Sequence, residues 1–228
     1  LSLDRWAVAH AAQLQDEIIA AYEEYNFHVV FQKIHNFCSV EMGGFYLDII
    51  KDRQYTTQSE SQARRSTQTA MYHIVEAMVR WLAPITSFTA DEIWSFLPGE
   101  RSESVFLSSF YQELFPMAST DLLDVAAWDE IMLVRTEVAR SLERLRKEGA
   151  IGSGLDAEVD LYCDESLYGL LSKLEDELRF VLITSYARIH RLGEAATDAE
   201  STALEGLKLQ VSRSAEEKCV RCWHHRED

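Results

Sequence analysis

The chain has 228 residues, 47% of them hydrophobic and 26% charged, which is typical of a globular protein with a buried core in one or two domains. Twenty-two Lys and Arg against 38 Asp and Glu give a formal charge of −16, which argues against general, charge-driven binding to nucleic acid but allows a local basic patch. No apolar run approaches the ~20 residues of a membrane span, and the first residues do not form a signal peptide. Four cysteines are too few for a disulfide framework, so we expect a reducing, cytoplasmic compartment.

The first part of the chain predicts an antiparallel bundle of helices. Apolar residues repeat at helical spacing over 3–25, and Asn26 is a suitable N-cap for a second helix over 27–55. Gly43-Gly44 interrupts this second helix and predicts a kink or a close helix contact. Ser59, with a glutamine three residues later, predicts a capping box that begins the third helix.

A shorter helix and a long connection follow the bundle. Thr89, with a glutamate three residues later, predicts a second capping box that opens a short helix. Residues 100–124 lack a clean period and predict a surface connection with one short helical turn. Residues 125–148 then predict a helix, with Gly149 as its C-terminal cap.

Alternating apolar residues predict strands in the last third of the chain, at 156–163, 186–192 and 207–211, with a helix over 166–183 and a mobile segment over 195–205. The predicted fold class is therefore mainly α, an antiparallel helical bundle followed by a small α+β unit.

Three separated blocks of the chain resemble the bacterial-type isoleucyl-tRNA synthetases. The blocks are Phe37–Tyr55 (FCSVEMGGFYLDIIKDRQY), Ala63–Trp94 (beginning ARRSTQTAMY) and Lys218–His224 (KCVRCWH). The resemblance implies a bundle of the class I synthetase anticodon-binding type over 1–124. It further implies a long helix with a small α+β unit over 125–218, and the truncated first half of a zinc knuckle over 219–228.

The resemblance also implies a function. The chain looks like a C-terminal piece of an isoleucine–tRNA ligase that positions tRNA-Ile for aminoacylation by catalytic and editing domains outside it. ATP and Mg²⁺ would bind only at the catalytic domain. The chain contains neither a His-x-Gly-His type signature nor a Lys-Met-Ser-Lys type loop, so we expect it to be inactive alone. The expected partners are tRNA-Ile and the rest of the synthetase, without DNA or a membrane.

Anticodon recognition requires planar groups that stack on unpaired bases, and cations that meet phosphates. The polar end of the second helix and the first turns of the third offer both, and a positive stretch over 135–147 offers further cations. The candidate RNA-binding residues are Lys51, Arg53, Gln54, Tyr55, Arg64, Arg65, Gln68, Arg144 and Lys147. A solvated helix corner explains any single residue of 51–68 equally well, and an ordinary helix face explains the two on 135–147.

Cys219 and Cys222 have the spacing of one half of a tetrahedral zinc site. The resemblance implies zinc in the full-length protein and a second cysteine pair downstream, which is not in this sequence. His224 and His225 are alternative ligands, but four ligands within seven residues are crowded, so we expect a disordered, metal-free tail.

The resemblance also implies that a further bundle helix precedes this chain, so we expect an uncovered apolar groove along helices one and two. Two other functions remain open. One is a helical protein–protein interaction module, and the other is the equivalent region of a valyl- or leucyl-tRNA synthetase. Preferential binding of tRNA with the isoleucine anticodon distinguishes among them.

Overall fold

A computed structural model describes residues 1–118 and 121–227, and it divides into two compact units, Leu1–Ser119 and Thr120–Asp228. The helices of the first unit are α1 (Ser2–Glu23), α2 (Phe27–Asn36), a π-helix (Phe37–Tyr46), α3 (Leu47–Tyr55), α4 (Gln62–Leu82) and α5 (Ser87–Phe96), followed by a 3₁₀ turn at Val105–Leu107.

The core of the first unit lies between α1, the π-helix and α4. Apolar residues of α1 at steps of three and four are buried, as are their counterparts on α4. Asp4 meets Thr67, and Trp81 donates a hydrogen bond of 3.0 Å from its indole nitrogen to Gln15, so α1 and α4 run in the same direction. The chain between them runs the opposite way, which confirms the predicted antiparallel bundle.

The interruption predicted at Gly43-Gly44 is a π-helix rather than a kink. A Cβ at Gly43 would lie 2.9 Å from the carbonyl oxygen of Cys38, so the widened turn needs glycine there. The Glu41 carboxylate connects the π-helix to α1 and to the end of α2, since it lies 2.5 Å from the ring of His10 and 2.6 Å from the side-chain amide of Asn36.

Two of the predicted caps are wrong. The N-cap of α4 is Ser61, whose hydroxyl accepts a hydrogen bond of 3.3 Å from the backbone N–H of Arg64. Thr86, not Thr89, precedes α5, and its side chain makes no capping bond. Sequence spacing alone did not distinguish these hydroxyls from their neighbours.

A buried glutamate in the C-terminal half of α4 connects this helix to α5. Glu76 is paired with Arg80 at 2.6 Å and with Arg101 at 2.8 Å, and both guanidinium groups stack on the ring of Trp94. Burial opposes ionisation of the Glu76 carboxyl, but the hydrogen bonds from the two arginines outweigh it and hold the pKa below its ordinary value of 4.5.

An apolar groove lies along part of the predicted second helix (27–55), beside α4 rather than α1. Polar side chains bridge α1 and α2, including an ion pair of 2.6 Å between Lys33 and Glu17. An apolar groove of about 230 Å³ lies instead between the π-helix and α4, and Met42, Met71 and Met78 contribute to its lining.

The second unit is a mixed sheet with helices. Its elements are α6 (Val125–Lys147), β1 (Ala157–Cys163), α7 (Glu165–Leu171), α8 (Glu177–Leu182), β2 (Tyr186–Arg191), β3 (Glu200–Ser201) and β4 (Leu207–Arg213). The strand order is β2-β1-β4-β3, with β1 parallel to β2 and antiparallel to β4. Gly149 ends α6 with φ at +75°, as expected of a helix cap.

The structure confirms the predicted fold class, a helical bundle and a small α+β unit, and corrects two details of the second unit. The helix expected over 166–183 is broken into α7 and α8, because Glu175 has φ at +48°. The segment expected to be mobile contains β3, which pairs with β4. Across the described residues, none of the helices has the length and apolarity needed to span a membrane.

Candidate nucleic-acid interface

The end of α3 and the start of α4 form a tight corner, which we call the α3–α4 corner (residues 51–68). Gln54 donates a hydrogen bond of 3.4 Å from its amide to the carbonyl oxygen of Arg64, so two candidate RNA-binding residues meet there. Thr57 and Ser61 close the connection through their hydroxyls, which lie 3.0 Å apart. The corner is therefore built from short polar side chains that hold the two helices together.

Several candidate residues at the corner face solvent. The side chain of Tyr55 is 81% exposed, which leaves its ring available for stacking. Lys51, Arg65 and Gln68 are exposed, whereas Gln54 and Arg64 are half-buried.

The exposed cations at the corner have only weak partners. Lys51 is paired with Asp48 on its own helix, and Arg65 lies 3.7 Å from Glu60. Exposed pairs of this kind contribute about 0–1 kcal/mol, so a phosphate can replace the carboxylate at little cost.

Arg53 differs from the other candidates because it points into the bundle. The residue is 4% exposed, and its guanidinium donates to the Asp4 carboxylate at 3.3 Å. A phosphate in solvent would have to break this buried ion pair to reach the Arg53 guanidinium. Its burial was not predicted, because Asp4 lies 49 residues away in the sequence.

The second positive segment lies on α6, where its cations are already paired. Arg144 is 2.6 Å from Glu200, and Lys147 is 3.8 Å from Glu143, which also binds Arg146. These side chains are largely exposed, so the pairs are weak and exchangeable. These acidic partners reduce the excess of positive charge that the sequence of this segment predicts.

The residues around the two neighbouring cysteines form an ordered turn, so the prediction of a disordered tail is wrong. The backbone N–H of Cys219 donates to the carbonyl of His224 at 2.8 Å, and the N–H of Trp223 donates back to Cys219 at 2.9 Å. The turn is attached to the sheet, since the N–H of His225 donates to the hydroxyl of Ser185 at 2.7 Å. These backbone bonds supply order that residue types alone do not predict.

This turn carries two cysteines at the spacing of one half of a zinc site. Backbone N–H groups of Cys222 and Arg221 point at the Cys219 sulfur and lower the pKa of its thiol, which favours the thiolate that zinc binds. His224 is buried and packs edge-on against Phe180 at 5.8 Å.

The other histidine is also engaged elsewhere, because His225 lies 3.3 Å from Asp156. Among residues 1–118 and 121–227, no group of three potential metal ligands converges. The residues present therefore fit two positions of a tetrahedral site and do not complete it.

Comparison with known proteins defines the class of this bundle. Residues 4–161 match the family described as the anticodon-binding domain of tRNA ligase. The match covers more than half of the chain, so the chain belongs to this family.

The individual relatives indicate which kind of tRNA ligase the chain resembles. The chain is 60% identical to the isoleucine–tRNA ligase of Nitrosococcus oceani over 228 residues, which are 100% of this chain and 24% of that protein. It is 57% identical over 228 residues to the isoleucine–tRNA ligase of Methylococcus capsulatus, and 58% identical over 231 residues to that of Halorhodospira halophila, with the same coverage. These identities confirm the resemblance to isoleucyl-tRNA synthetases, and the chain spans about a quarter of the length of these relatives.

Proposed function

We propose that the chain is the tRNA-reading part of an isoleucine–tRNA ligase and that the α3–α4 corner contacts the anticodon of tRNA-Ile. The observation that carries the proposal is Tyr55, an exposed aromatic ring at the end of a helix in an anticodon-binding bundle. Exposed aromatic rings beside cations bind unpaired bases by stacking, while the cations meet the backbone phosphates.

The proposed contact set combines these two kinds of group. Tyr55 stacks on a base, Lys51 and Arg65 meet phosphates, and Gln54 and Gln68 bond to base edges. Arg64 contributes from a half-buried position on the first turn of α4. Arg144 and Lys147 are proposed as secondary phosphate contacts, which release their acidic partners when tRNA binds.

In this proposal, residues 1–124 form the anticodon-binding bundle, 125–218 form the long helix and the α+β unit, and 219–228 form half of a zinc knuckle. The longer protein would supply the catalytic domain, with ATP and Mg²⁺, and would act in the cytoplasm. Zinc would be held by Cys219 and Cys222 together with ligands from outside these residues. The chain itself would bind and orient tRNA, without a chemical step.

The first test is filter binding of the 228-residue chain at low salt, with tRNA-Ile and with the same tRNA carrying a changed anticodon. Arg64→Ala and Arg65→Ala should each weaken binding of tRNA-Ile about three- to tenfold, the effect of losing one charge-assisted contact. The matched control is Lys33→Ala, which removes a partly exposed cation from α2 that is paired with Glu17.

Three results would refute the proposal. One is unchanged affinity in both arginine variants. Another is an equal loss in the lysine control, which would indicate a response to total charge alone. The third is equal affinity for the two tRNAs, which would show that the chain binds RNA without reading the anticodon.

A further inference from the structure

A buried carboxylate lies directly beneath the α3–α4 corner. Asp4, in the first turn of α1, is 3% exposed. Its Oδ1 accepts hydrogen bonds from the hydroxyls of Tyr46 at 2.8 Å and Thr67 at 3.2 Å. Its Oδ2 accepts from the hydroxyl of Ser66 at 2.6 Å and from the guanidinium of Arg53 at 3.3 Å. The four donors come from the π-helix, α3 and α4, and together they match the roughly four acceptor positions of a carboxylate.

The donors are close in sequence to the proposed RNA contacts. Arg53 precedes Gln54 directly and lies two residues before Tyr55, while Ser66 follows Arg65 directly. A single carboxylate therefore connects α3 and α4 at the residues next to those that face solvent. It sets the separation and the rotation of the two helices at the position where a base and a phosphate would be bound.

Stability alone does not explain this arrangement. A buried ion pair gains little over an apolar replacement, because removing both charges from water offsets their attraction. Such a pair instead favours one arrangement of its surroundings, since every other arrangement leaves a buried charge without its partners. Burial and the adjacent Asp4 carboxylate also raise the pKa of Tyr46, which keeps its hydroxyl protonated as a donor.

We propose that Asp4 is a positioning residue for tRNA recognition. Through Arg53 on α3 and Ser66 on α4, it holds the α3–α4 corner in the conformation that binds RNA, although Asp4 touches no RNA itself. The inference rests on the proposed function and adds to it a residue outside the contact surface.

The test compares two buried acids, Asp4 of α1, which contacts the first turns of α4, and Glu76, which lies further along α4. Asp4→Asn keeps the side-chain shape and removes the charge under the corner. Glu76→Gln likewise removes a buried charge, the one paired with Arg80 and Arg101, about ten residues or 15 Å along α4 from Ser66. Affinity for tRNA-Ile is measured by filter binding at a temperature where circular dichroism shows both variants fully folded. Both variants should melt earlier than wild type. Only Asp4→Asn should also lose affinity, by about tenfold, and the loss in Glu76→Gln should stay below about twofold.

A double-mutant cycle provides a readout that a general loss of stability would not change. If Asp4 acts by placing the ring of Tyr55, the loss caused by Asp4→Asn should shrink to below about threefold in a Tyr55→Ala background. The same tenfold loss in both backgrounds would overturn the inference. Wild-type affinity in the folded Asp4→Asn protein would also overturn it.

A second variant covers the case in which Asp4→Asn fails to fold. Tyr46→Phe removes one of the four bonds and keeps a ring that is fully buried, so it cannot alter a direct RNA contact. Its affinity should fall about threefold, and an affinity equal to that of wild type would refute the inference. Failure of the proposed function would give a different result, because Tyr55→Ala alone would bind tRNA-Ile with wild-type affinity. If Tyr55→Ala loses affinity for tRNA-Ile as expected and the Asp4 variant keeps wild-type affinity, only the positioning role of Asp4 is refuted.

Discussion

The exposed ring of Tyr55 makes the strongest prediction about RNA binding. Base–aromatic stacking contributes about 1–3 kcal/mol per base, so Tyr55→Ala should weaken binding of tRNA-Ile about 5- to 150-fold. The side chain is 81% exposed, so its removal takes little packing from the bundle. We therefore expect the free energy of unfolding to change by less than about 0.5 kcal/mol.

The chain offers a closely matched control for this experiment. Tyr25 is 80% exposed, and it follows α1, at the opposite end of the bundle from the α3–α4 corner. Filter binding at fixed low salt should show a large loss for Tyr55→Ala and less than about a twofold change for Tyr25→Ala. Tyr55→Phe keeps the stacking surface and should bind within about threefold of wild type.

Two results would refute the assignment of the corner. Equal affinities of Tyr55→Ala and wild type would show that the exposed ring does not stack on a base. Equal losses at Tyr55 and Tyr25 would show that the assay responds to exposed aromatic surface in general.

Two further predictions concern charge. Arg144→Glu should reduce the slope of log affinity against log salt by about 1 if Arg144 meets a phosphate, and an unchanged slope would identify it as part of an ordinary helix surface. The pKa of Glu76 is lower in the folded protein than in the unfolded chain, so its contribution to stability is present above pH ~4.5 and is lost as the pH falls through the folded value. Glu76→Gln should therefore lower the free energy of unfolding by about 2 kcal/mol at neutral pH and flatten its acid limb, as measured by urea unfolding, and an acid limb as steep as that of wild type would contradict this.

Much of the fold could be predicted from local patterns. The apolar stripe of α1 and the glycine after α6 each depend on residues within a few positions, so spacing alone predicted them. The alternation in β1 and β4 predicted two strands in the same way. The break at Glu175 could not be predicted, because a positive φ at a non-glycine residue is imposed by surrounding packing.

At the candidate site, too, features that depend on nearby residues were predicted, and those that depend on distant residues were not. The sequence predicted that α3 and α4 would bring Gln54 and Arg64 to one end of the bundle, and the structure places them in contact. It did not predict that Arg53 faces inward, since helical spacing next to Gln54 and Tyr55 is compatible with either orientation. Only the position of Asp4 in three dimensions decides between the two orientations.

The π-helix has a consequence for insertions and deletions. Its bonds run from each residue to the fifth residue along, so this segment contains more residues per turn than an α-helix of the same length. Loss of one residue from Phe37–Tyr46 would change the rotation of α3 relative to α2 by about 100°. Such a deletion would move each residue of α3 into the place of the residue before it, so Gln54 would take the inward position and Arg53 would turn away from Asp4. The number of residues in this π-helix therefore determines the rotation of α3, and changes in its length should be tolerated far less than changes in the connection after α5.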